Sequence, residues 1–172
     1  MRQKTMCISA MQPKSEQART WRAVLLFVSW ACVLACAVTI FVLSHETATQ
    51  SAGKSNGVIA MLFARFGIVV SSHFVRKLAH ALEYFGLALL LYNAYGLSFR
   101  AVQPALSFLT AVLYAASDEI HQYFIFGRAC QMRDVFVDAL GAAASVLLCT
   151  VAYWLFQKCK QYISYKNKKG TV

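Results

Sequence analysis

Four long apolar runs constrain this chain more than any other feature. A hydrocarbon core about 30 Å thick takes roughly 20 helical residues to cross. Residues 21–43 make such a run, with Arg22 as its only charge. Residues 78–97 make a second, interrupted by His80, Glu83 and Asn93, and residues 101–120 and 135–156 make the third and fourth. Apolar residues are 59% of the 172, against roughly 45–50% in soluble domains, so little chain is left for a separate soluble domain. The expected fold is an all-α integral membrane protein with four transmembrane helices. A basic tail (1–20) leads into one membrane domain (21–157), and a second basic tail (158–172) follows.

The formal net charge of +10 would fit a nucleic-acid binder if it lay along a soluble face. It lies in the tails instead. Arg2, Lys4, Lys14, Arg19 and Arg22 are opposed only by Glu16, and Lys158, Lys160, Lys166, Lys168 and Lys169 by no acid at all. By the positive-inside rule both termini are expected in the cytoplasm, which demands an even number of crossings. The turn around Arg100 then lies inside, and residues 44–76 and 123–133 face out. Anionic headgroups account for basic juxtamembrane tails, so the expected partner is membrane lipid and not nucleic acid. The first run is longer than a signal-peptide core and no small-x-small site follows it, so it reads as a retained anchor. Cys32, Cys36 and Cys149 lie within runs and Cys7 and Cys159 in tails, which leaves Cys130 alone outside and no disulfide framework. Cys32 and Cys36, one turn apart without His or carboxylate partners, read as packing residues, not a metal site. No metal and no cofactor is expected.

Between the runs, the polar stretch to Thr20 reads as poorly ordered. Residues 44–55 are rich in hydroxyls and have loop composition. Residues 56–70 turn apolar again, broken only by Arg65, but are too short to span. An interfacial or re-entrant helix in the first outer loop is the expectation there. The turn at 96–104 is tight, so the second and third spans form an antiparallel hairpin, with Pro104 at the start of the latter.

Ionisable groups within such runs are expensive in lipid unless paired or wetted. Lys77, His80 and Glu83 follow one another at one-turn spacing, with Tyr84 beside them. Asp118, Glu119 and Gln122 close the third run. Asp134 and Asp138 open the fourth, one turn apart, after Arg133. With the expected topology these groups lie within about 10 Å of the outer boundary. Each has a structural reading. His80 and Glu83 can be a pair that fixes helix orientation. Asp118 and Glu119 point about 100° apart, so one is expected to face the bundle and the other the interface. Asp134 and Asp138 share a stripe with Gly141 and Ser145, a close-packing pattern for membrane helices. Arg128 and Arg133 can snorkel, or pair with the acids or an anionic headgroup. A packing network explains each group separately, but explains less well why they gather at one depth.

Four ordered motifs now carry a resemblance: Lys77-x-x-His80-x-x-Glu83-Tyr84, Ser117-Asp118-Glu119-x-x-Gln122, Gly127-Arg128, and Asp134-x-x-x-Asp138-x-x-Gly141. Together with the serine-rich stretch 44–55, this set resembles the VanZ-like family over roughly 41–148. Cys130-Gln131-Met132 departs from the small hydroxyl residues that more often precede the aspartate. The resemblance implies a bacterial cell-envelope protein in the cytoplasmic membrane and a link to glycopeptide (teicoplanin) resistance. It supplies no established reaction.

Two functions compete. In one, an outward-facing pocket of Lys77, His80, Glu83, Tyr84, Asp118, Glu119, Gln122, Arg128, Arg133, Asp134 and Asp138 binds a lipid headgroup, a wall precursor or a glycopeptide, with segment 56–70 lying over it. In the other, a membrane enzyme modifies a lipid-linked substrate, with His80 as base beside Glu83 and Asp118 or Glu119 as acid or metal ligand. No nucleophile elbow or phosphate loop supports the second reading. Proton-coupled transport is disfavoured, because the inner half offers only Tyr92, Asn93 and Tyr95 to continue a path.

Overall fold

The computed structural model describes residues 12–67, 69–125 and 131–169, and among them every regular element is helical. Five helices follow in order: α1 (Gln12–Ser44), α2 (Ala48–Phe66), α3 (Ser72–Phe99), α4 (Pro104–Gln122) and α5 (Met132–Lys169). The long apolar runs account for all but α2, and local chemistry sets the ends. Ser71 caps α3, its hydroxyl oxygen accepting from the Phe74 N–H at 3.2 Å. Pro104 opens α4, where its missing donor is not needed. Gly67, at φ +67°, closes α2 in the left-handed conformation that glycine adopts without strain.

Two expectations require correction. α1 begins at Gln12, inside the stretch read as poorly ordered; Glu16, Gln17, Ala18 and Arg19 are all good helix formers and simply extend the apolar run backwards. α2 begins at Ala48 and stops at Phe66, whereas a helix over 56–70 was expected. No proline interrupts 48–55, so its hydroxyl-rich composition does not prevent helix, and Gly67 ends the helix early.

α3 is the central element: α1, α2, α4 and α5 all pack on it, most extensively α5. Small residues make these approaches close, with Ala88, Ala94, Ala111, Ala115, Ala142, Ser107 and Ser145 all fully buried. At the closest point a Cβ on Gly141 would sit 2.1 Å from the Ala81 carbonyl oxygen, so α5 meets the α3 backbone where only glycine fits. The surface is inverted relative to a soluble protein. Phe27 is 76% exposed and Leu147 66%, while Asp118, Glu119, Gln122 and Asp138 are buried. Two helical segments, Glu16–Ser44 and Met132–Asn167, are long and apolar enough to cross a membrane by length and composition. α3 and α4 are more polar because they carry His80, Glu83 and Asn93, and Asp118 and Glu119.

Candidate functional site

Two ladders of polar side chains meet at one end of the bundle. The first joins α3 to α5 in register. Lys77 pairs with Asp134 at the start of both helices. One turn further, His80 Nδ1 lies 3.9 Å from Asp138 Oδ1 and 4.0 Å from Glu83 Oε2. One more turn brings Gly141 against Ala81. The close backbone approach thus dictates which charges face one another. Asp138 is 1% exposed, and neither of its oxygens accepts a hydrogen bond from a described residue. An unbonded buried carboxyl is costly to fold around.

The second ladder joins α1 to α4. The Ser44 hydroxyl donates to Asp118 Oδ2 at 2.7 Å, and Gln122 Nε2 donates to the same oxygen at 3.1 Å and to Ser44 Oγ at 3.3 Å. Glu119, 1% exposed, accepts the Gln131 backbone N–H at 3.1 Å and so anchors the entry to α5. Tyr84 is fully buried beside Asp118 and Asp138. Asp118 and Glu119 were expected to divide between bundle and interface, yet both are buried. α4 is covered on two sides: Asp118 meets α1, and Glu119 meets the chain entering α5. Close by, His45 Nδ1 and His121 Nε2 lie 3.3 Å apart, with the Phe41 ring 4.6 Å from that of His121.

A cleft of about 150 Å³ opens beside these ladders, between the end of α1, α2 and α3. Leu43, Val58, Val75 and Ala79 form its apolar wall; Ser44, Glu46, Lys54, Ser55, Arg76, His80 and Glu83 supply its polar groups. Lys54 pairs with Glu46. Arg76 is half-buried and has no acidic partner among the described residues.

Lys77, His80, Glu83, Tyr84, Asp118, Glu119, Gln122, Asp134 and Asp138 therefore come together at one end, although only His80 and Glu83 among them line the cleft. Arg133 is exposed and pairs with none of the acids; Lys77 takes Asp134 in its place. Arg128, with Gly127 and Cys130, lies outside the described residues. Ser44, Glu46, Lys54, Ser55 and Arg76 were not singled out as site residues. The serine-rich composition of 44–55 is the signal for the first four, and it gives a loop without saying where the loop packs; Arg76 has no such signal. Among the described residues no group of three or more His, Cys, Asp or Glu side chains is arranged to hold a metal ion.

No curated protein and no solved structure matches the chain. The VanZ/LLP1 family model matches residues 24–156, which takes in both ladders and all four apolar runs but for the first three residues of the first. With its lipid-like exterior and its apolar helices, the chain is a membrane protein belonging to the VanZ/LLP1 family.

Proposed function

We propose that this is a four-span protein of the bacterial cytoplasmic membrane, with both termini in the cytoplasm. Its charged end forms an outward-facing pocket that binds the polar headgroup of a lipid or lipid-linked wall precursor. The observation that carries the reading is the cleft. It combines an apolar wall with Arg76, His80 and Glu83, as a headgroup still attached to its hydrocarbon requires. Its size favours a headgroup over an intact antibiotic. About 150 Å³ falls well short of the roughly 300–1,000 Å³ of pockets that enclose drug-sized ligands. Any contribution to teicoplanin resistance then runs through the envelope lipid or precursor. α2 supplies one wall, consistent with an interfacial helix over the site. The basic tails support the orientation. In intact cells a membrane-impermeant thiol reagent should label a single cysteine placed at Ser51 and spare one placed at Val172; labelling at Val172 would contradict the topology.

The second reading, an enzyme, is favoured by one geometry: His80 stands within about 4 Å of two carboxyls, those of Glu83 and Asp138. Glu83→Gln separates the two. A binding site should lose on the order of 1–3 kcal/mol of affinity, the worth of a charge-assisted hydrogen bond. A proton-transfer site should lose all turnover, because an amide cannot exchange the proton. The assay is envelope-lipid profile and glycopeptide susceptibility in cells carrying Glu83→Gln or His80→Gln. Graded susceptibility with unchanged lipid species supports binding. A lipid species that disappears with His80→Gln would overturn it in favour of catalysis.

A further inference from the structure

We propose that the opposite end of the bundle holds a second site, for the phosphate of an anionic phospholipid, with Arg100 as its cation. A pocket of about 260 Å³ lies where the α3–α4 turn meets α5. Tyr92, Gly96, Leu97, Val102 and Tyr153 form its walls, with Arg100 among its lining residues. This site is separate from the cleft in the proposed function, sharing with it only the membrane setting.

Three independent features converge on Arg100. Its backbone is left-handed, at φ 56° and ψ 22°, and no other described non-glycine residue has positive φ. Arg100 is the cap that ends α3, and glycine would take that conformation with less strain than an arginine does. Arg100 is also uncommitted. The neighbouring Arg22 donates to the Leu97 carbonyl at 3.1 Å, and Lys158 sits 5.7 Å from the centre of the Trp154 ring, whereas Arg100 makes no ion pair with a described acid. All acids of the chain except Glu16 lie between positions 46 and 138, and none lines this pocket. Finally, the pocket wall includes Tyr92, a buried tyrosine whose hydroxyl has no hydrogen-bond partner among the described residues.

The ligand class follows from chemistry. A guanidinium presents a planar fork that matches phosphate oxygens two at a time, and basic pockets between membrane helices take anionic headgroups. Leu97 and Val102 line the site with apolar surface for the attached chains. Phosphate alone would not need that border.

Arg100→Gly tests the assignment, because it removes the cation while relieving the backbone. The full chain is purified in detergent, offered equimolar phosphatidylglycerol and phosphatidylcholine, and read by native mass spectrometry. The wild type should retain phosphatidylglycerol preferentially. Arg100→Gly should weaken that preference about tenfold, as loss of a charge-assisted contact implies, with an unfolding temperature no lower than wild type. Arg100→Lys should keep part of the preference, and Arg65→Gln, on α2, all of it. Undiminished preference in Arg100→Gly would overturn the proposal. Displacement of the lipid by glycerol phosphate at equal concentration would overturn the lipid assignment.

Discussion

The two ends of this bundle solve the same problem in opposite ways. At the hairpin end, neutral groups pair across helices. Asn93 donates to Ser29 at 3.1 Å, Trp30 to Ser98 at 3.2 Å, and Tyr95 and Thr110 share a hydrogen bond at 3.1 Å, while the Trp30 and Tyr95 rings meet edge to face. Such pairs set helix rotation without burying a charge, and contribute about 0.6 kcal/mol each in membrane proteins. At the charged end, five carboxyls from α3, α4 and α5 crowd together with Lys77 and His80, and Asp138 takes no hydrogen bond from a described residue. A fold that needs only orientation has the cheaper device available, and uses it at the other end. That contrast is why we propose a functional role for the charged end.

The largest predicted effect lies where the charged end depends on backbone proximity. Gly141→Leu pushes a side chain into the Ala81 carbonyl, so its effect should exceed the roughly 1–3 kcal/mol of ordinary overpacking and separate α5 from α3. Detergent-solubilised protein should then lose its folded elution profile. A normal profile would mean that the Lys77–Asp134 and His80–Asp138 register does not depend on this contact.

A smaller, paired prediction sharpens the contrast. Ser44→Ala leaves buried Asp118 with one donor fewer and should cost about 1–3 kcal/mol. Asn93→Ala removes a half-buried neutral pair and should cost nearer 0.6 kcal/mol. Unfolding in mixed micelles measures both. Equal losses would show that the two ends are energetically alike and would remove the reason for treating the charged end as functional.

Much of this was legible in the sequence. The apolar runs at 21–43, 78–97 and 135–156 lie within α1, α3 and α5, and the run at 101–120 forms α4 from Pro104 onward. The one-turn spacing of Asp134, Asp138 and Gly141 marked the stripe that packs on α3, and four ordered motifs pointed to the family that the VanZ/LLP1 match establishes. What periodicity could not give was partner choice. Lys77, not Arg133, takes Asp134, because the rotation of α5 leaves Arg133 exposed. Ser44 looked like the first loop serine; only the arrival of α4 makes it the donor to Asp118. Glu119 is buried because the chain entering α5 returns over it, a contact twelve residues away that no helical wheel contains.

The central claim, that the charged end holds a headgroup, is tested most directly by the lipids that remain with the purified protein. Native mass spectrometry would compare wild type, Glu83→Gln and Tyr95→Phe, each extracted from the same cells; Tyr95 lines neither pocket. The account predicts a bound lipid or lipid-linked precursor that Glu83→Gln depletes and Tyr95→Phe retains. A bound species that is unchanged in Glu83→Gln, in a protein that folds as wild type, would contradict it.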